Sequence, residues 1–189
     1  MKAILLVVLN LCLVEIYKAA VKTVNTLNLE QYAGAWYQVY TDLTVIRSIQ
    51  LDAMCVKTNY SIHNNQTLLV HETFRKWSPH GEPVERIGNI IQPNIALPGE
   101  LRMKYDEMPY ANPYLVIKLG PVSNITKQYQ YAIVTDMNKG SLYIYARCVH
   151  DFRKDYKDEA LKFCHDNGFK SYYNEPKETP QPTSCQYLL

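Results

Sequence analysis

The cysteines and histidines of this 189-residue sequence, five of each, are the residues to weigh first for nucleophilic, metal-ligating or acid–base chemistry. Their spacing excludes the common arrangements. There is no Cys-x-x-Cys, and no two histidines lie three to five residues apart, so the zinc patterns are missing and no metal site is expected. Ser61-Ile62-His63 and Ser78-Pro79-His80 each bring a hydroxyl near an imidazole, but neither sits in a nucleophile elbow or beside an assigned carboxylate. His71, between Val70 and Glu72, falls in mid-strand. Pointing inward it could ligate haem iron; pointing outward it is an ordinary strand histidine. His63, His80, His150 and His165 fall at strand ends, in a loop or on a helix and read as surface residues.

The cysteines acquire a role once the start of the chain is read. Lys2 precedes an apolar segment, Ala3 to Val14, that is too short to cross a bilayer and has the size of a secretory signal peptide. Cleavage near Ala19 or Ala20 makes residues 1–20 a leader and removes Cys12. The remaining Cys55, Cys148, Cys164 and Cys185 are an even set bound for an oxidising compartment, which points to two disulfides among three possible pairings. The sequons at Asn59, Asn65 and Asn124 agree with export and could each carry a glycan. A formal charge of +2 without a basic run gives no reason to expect nucleic acid or an anionic membrane as partner. No apolar run reaches the roughly 18 residues of a transmembrane segment.

Residues 21–189 read as a single domain that is all-β until near its end. Strand-type segments at about 36–42, 54–63, 67–76, 84–92, 100–106, 113–119, 129–136 and 141–147 are separated by turn clusters such as Asn64-Asn65 and Pro98-Gly99. Eight such strands can close into an antiparallel up-and-down β-barrel with room for one small ligand. Alternation puts Cys55, Lys57, Asn59 and Ser61 outside and Met54, Val56 and Tyr60 inside. By the same rule Met103 and Tyr105, then Leu115 and Ile117, then Tyr131 and Ile133, face inward. The third and fourth strands alternate too weakly to assign. A helical period follows at about 155–167, with Asp155 as N-cap and Gly168 beyond its end, and its narrow apolar stripe predicts docking outside the barrel. Residues 169–189, rich in proline, read as an extended strap leading to Cys185, within reach of an outward Cys55.

Gly34-Ala35-Trp36-Tyr37, the strand series and then Tyr143-Ile144-Tyr145-Ala146-Arg147 before a helix resemble the lipocalin family over roughly residues 28–185. Cys55 with Asn59-Tyr60-Ser61, Asn112-Pro113-Tyr114 and Tyr131-Ala132-Ile133-Val134 bring it nearest to the apolipoprotein D and insect bilin-binding branch. The resemblance implies that Trp36 closes the narrow end of the barrel while Arg147 packs across its ring, a cation–π contact of about 0.5–2 kcal/mol. It also implies a Cys55–Cys185 disulfide, leaving Cys148 to pair with Cys164, each bridge contributing roughly 2–4 kcal/mol. The chain departs from the family before the seventh strand, where Thr126-Lys127-Gln128 stands in place of Thr-Asp-Tyr, so a rebuilt closed-end loop is expected.

If the family's facing of the last strand applies, Tyr143 and Tyr145 complete an interior that is apolar with polar tips. Such a lumen fits a mainly apolar ligand of about 20–40 non-hydrogen atoms with a few oxygens, such as a fatty acid, steroid, retinoid or bilin. The expected function is therefore a secreted, extracellular carrier that is not an enzyme and has no obligatory cofactor, bilin or haem being conceivable but not indicated. Two other readings stand beside it: a glycosylated interaction protein with a vestigial cavity, which would bind a cell-surface receptor or another copy of itself, and an isomerase using a free lumenal cysteine.

Overall fold

A computed structural model describes residues 20–188; the apolar leader with Cys12 lies outside the described residues. A short helix α1, Leu29–Tyr32, leads into β1, Gly34–Thr41, and α2, Leu43–Ser48, follows. Then come β2 (Ala53–Asn64), β3 (Thr67–Lys76), β4 (Pro83–Ile91), β5 (Glu100–Tyr105), β6 (Asn112–Leu119), β7 (Tyr131–Thr135) and β8 (Leu142–Ala146). Each strand pairs antiparallel with the next, and β1 pairs with both β8 and β2, closing an eight-stranded barrel. All eight expected strands are present within two residues of their expected ends.

The helical segment begins earlier than the period suggests: α3 (Val149–Asp151), a π-helical turn (Phe152–Tyr156) and α4 (Lys157–Asp166) run in succession. Asp155 therefore lies inside the π turn instead of capping a helix. Buried Phe152 explains the early start, because its ring packs on Tyr40 and Tyr131 and draws the chain onto the barrel wall immediately after β8. Gly168, at φ +90°, ends α4 in the left-handed conformation expected of a residue there.

The closed end is built around Arg147. Its guanidinium carbon lies 3.8 Å from the centroid of the Trp36 ring. Its nitrogens donate to the carbonyls of Tyr129, Ala35, Gln31, Tyr32 and Ala33 at 2.7–3.2 Å. Trp36 Nε1 donates to the Tyr32 carbonyl at 2.7 Å, so ring and guanidinium are fixed by the same short segment. Gly34 is at φ +96°, and a Cβ there would lie 3.0 Å from the Gln128 amide and 3.2 Å from Arg147. Gln128, from the rebuilt loop, donates to the Ala33 carbonyl.

A strap covers the opposite flank. β9, Lys177–Glu178, pairs with Tyr40 and Thr41. Gln181 then donates to the carbonyls of Gln38 and Val56, which lie at bulges in β1 and β2. Beyond it the Cys55–Cys185 disulfide is formed, as the resemblance implies. Cys55 is at φ +56° in the β2 bulge and is 1% exposed because the strap lies over it.

The expected Cys148–Cys164 bridge is absent: Cys148 is free and exposed, Cys164 free and buried against the helix-covered side of the barrel. Burial alone pushes the Cys164 thiol up to about 12. Alkylation of the folded protein should label Cys148 and spare Cys164 until denaturant is added, as read by peptide mass mapping. Equal labelling of the two would contradict this arrangement.

Replacing Arg147 with methionine keeps the volume but removes five hydrogen bonds: the carbonyls of Tyr32, Ala33 and Gln31 keep Trp36 Nε1, Gln128 and the Tyr129 amide as donors, while those of Ala35 and Tyr129 lose the guanidinium. It should lower stability by about 3 kcal/mol or more in denaturant titration, and lysine should not restore it.

Asp42 caps α2 by accepting from the Val45 amide at 2.9 Å, while its other oxygen has no hydrogen-bond partner. Desolvation by burial raises this carboxyl to about 6. Its folded-state value exceeds the unfolded one, so its contribution is complete below about pH 4 and is lost as pH rises through about 6. Asp42→Asn, which keeps the capping oxygen, should flatten the melting temperature across that window relative to wild type.

Candidate functional site

The barrel interior divides into a packed floor and an open chamber. In the floor the Tyr32 and Tyr60 hydroxyls both bond that of Tyr114, at 2.6 and 3.0 Å, directly above Trp36, whose ring centroid is 5.2 Å from that of Tyr32. Burial and the neighbouring hydroxyls raise the Tyr114 phenol well above its ordinary value, so this cluster stays protonated.

Above the floor lies a cavity of about 340 Å³. Tyr105, Tyr143 and Tyr145 form its aromatic walls, with Met103 and Met137 beside them. The Tyr143 and Tyr145 rings are parallel, 5.9 Å apart. Gln50 and Ile49, just after α2, and the turn from Asp136 to Ser141 line the mouth.

One wall is charged. Glu72 on β3 is 2% exposed and accepts from the Tyr105 hydroxyl at 3.0 Å. Arg86 on β4 reaches Glu72 at 3.4 Å, donates to Glu107 at 2.7 Å and lies 3.6 Å above the centre of the Tyr105 ring. β3–β4 register places Glu72 directly opposite Arg86. Desolvation raises the Glu72 carboxyl, opposed by Arg86 and by the Tyr105 hydrogen bond.

Of the residues expected in the lumen, Met103, Tyr105, Tyr143 and Tyr145 line the cavity and Tyr60 lies in its floor. Met54 and Val56 do not line it, because the bulge between Met54 and Lys57 breaks the alternation from which they were assigned. Leu115, Ile117, Tyr131 and Ile133 face the other way, in the apolar layer shared with Phe152, Ala160 and Cys164.

The physical reason for this reversal is that β6 and β7 are covered on both faces. Their outward positions are as apolar as their inward ones, and Tyr114, Val116, Ala132 and Val134 fill the interior instead. Lys118 misleads, since a bulge before it shifts the parity, and it reaches along the helix to Glu159 at 2.7 Å.

The sequence reading missed Glu72, Arg86 and Tyr114. The period Leu68, Val70, Glu72, Phe74 carried the signal for Glu72, but Leu69 on the other face masked it. His71 points away from the cavity and pairs with Glu85 on the outer surface, so the haem-ligation reading loses its histidine. Among the described residues neither free cysteine lines the cavity, where an isomerase reading requires a thiol. No group of His, Cys, Asp or Glu able to hold a metal occurs among the described residues. Of the sequons, Asn65 and Asn124 are exposed and Asn59 is half-buried on the outer face of β2.

The sequence matches the family model of the lipocalin-like domain over residues 27–174. No curated protein sequence matches it. Among solved structures, insecticyanin from the tobacco hornworm Manduca sexta superposes with a TM-score of 0.62 at 19% identity, over 88% of each chain. Lobster apocrustacyanin A1 gives 0.58 at 20% identity, over 90% of this chain and 96% of that one. Japanin from Rhipicephalus appendiculatus, bound to cholesterol, gives 0.51 at 13% identity, over 81% of this chain and 95% of that one. At these identities the likeness is one of fold. With the barrel closed, Arg147 seated on Trp36 and most of its length covered by the family model, the chain belongs to the lipocalin-like family.

Proposed function

We propose that this protein is a secreted carrier that holds one small, mainly apolar molecule in the open end of its barrel. The observation that carries the reading is the cavity of about 340 Å³ set among tyrosine and methionine side chains and stopped below by the Tyr32–Tyr60–Tyr114 cluster. Aromatic faces and adaptable thioethers favour burial of an apolar body, while hydroxyls at the ring tips fix its orientation. The volume falls near the lower end of the usual range of about 300–1,000 Å³, which favours the smaller members of the ligand classes expected from the sequence. The cholesterol held by Japanin supports a ligand of this general kind in such a barrel. The Cys55–Cys185 disulfide supports an oxidising, extracellular destination.

A second reading has one observation behind it. Leu69, Ile87 and Ile91 are each 45–54% exposed on the outer side of the β3–β4 sheet, near the sequon at Asn59 on β2. Such a strip would suit a glycosylated interaction protein.

Titration with the neutral fluorophore N-phenylnaphthylamine separates the two readings. Met103→Trp, which fills the cavity, should weaken binding by about tenfold or more, while the outward Leu115→Val should leave it within about twofold. Failure of wild-type protein to take up the probe would end the carrier reading.

A further inference from the structure

A lumen built only to solvate apolar surface has no use for a buried carboxylate, yet Glu72 lines this one at 2% exposure. Its partners are the Tyr105 hydroxyl, the Gln50 amide and Arg86. The nearest nitrogen of Arg86 is 3.4 Å away, whereas Arg86 holds Glu107 at 2.7 Å and stacks on the Tyr105 ring. One guanidinium thus faces two carboxylates and is bonded more closely to the one nearer solvent. Among the described side chains that line the cavity, Asp136 is also acidic and Arg86 is the one base. Beside Glu72 stand the parallel rings of Tyr143 and Tyr145, whose faces attract cations.

We propose that the ligand of this cavity carries a cationic nitrogen, an ammonium on a small aromatic or aliphatic body, seated against the Glu72 carboxylate beside the Tyr143–Tyr145 ring pair. The inference rests on the carrier reading and names the ligand class of the same cavity. An ammonium would supply the positive charge that Arg86 only partly provides, and each N–H would find a carboxylate or tyrosine oxygen to accept it. A carboxylate ligand meets the opposite situation. Arg86 is already engaged with two acidic groups, and an anion approaching it would enter beside Glu72.

The test is isothermal titration of phenylbutylamine, phenylbutanol and phenylbutanoic acid into protein freed of co-purified lipid. These share one apolar body and differ only in the charge of the head. The amine should bind about tenfold tighter than the alcohol, with the acid weakest. Glu72→Gln preserves shape and the hydrogen bond from Tyr105, and should reduce the amine's advantage over the alcohol to within about twofold.

The wild-type series alone decides the matter should the variant fail to fold. Equal or tighter binding of the alcohol or acid overturns the cation assignment while leaving the carrier reading intact. So does failure of all three to bind protein that still takes up N-phenylnaphthylamine. Loss of the fluorophore as well would overturn the carrier reading itself.

Discussion

The closed end of the barrel depends on a single half-buried guanidinium. Arg147 sits where α1, the start of β1, the approach to β7 and the end of β8 converge, and it bonds backbone carbonyls of each of the first three. A planar fork of five N–H groups answers several carbonyls at once, and its flat face at the same time covers an indole, which lysine cannot do. This explains the residues around it: Trp36 as the surface on which the fork rests, glycine at 34 where a side chain would press on Gln128 and Arg147, and Gln128 supplying one more donor. Desolvation lowers Arg147 to about 10, which still leaves it charged at neutral pH. The tyrosine floor is stacked on this base, and the chamber begins only above it.

What could be read in the sequence follows from which surfaces face water. Strand positions, turns, the closed-end pair and the Cys55–Cys185 bridge were legible, because turn residues mark strand ends and Trp36 and Arg147 form a recognisable pair. The facing of β5 was legible too, since Arg102 and Lys104 are solvated and Met103 and Tyr105 are not. β6 and β7 defeated the same logic. A helix lies against their outer face, so Ile133 and Val134 are both buried, and polarity no longer separates inside from outside. Bulges at Cys55–Val56 and at Ile117 add a second source of error, because one extra residue reverses every later assignment. The pairing of Cys148 with Cys164 failed for a different reason: it rested on counting, and an even number of cysteines carries no geometry.

The charged wall was the least visible part of the site. A glutamate and an arginine in strands normally mark the solvent face, and only the register that sets Glu72 opposite Arg86 shows both turned inward. Burying such a pair rarely adds stability over an apolar pair of similar size. Its place in the lumen is therefore not explained by holding the barrel together.

The strap has a consequence for how the molecule is made. Cys55 and Cys185 are 130 residues apart, and β1 must find β8 and β9 as well as its near neighbour β2. During synthesis the first strand therefore waits with an unpaired edge until β8 has emerged. Circularity is conferred by β8, and the strap that follows is laid over β1 and β2, so loss of the strap should be felt first at those early strands.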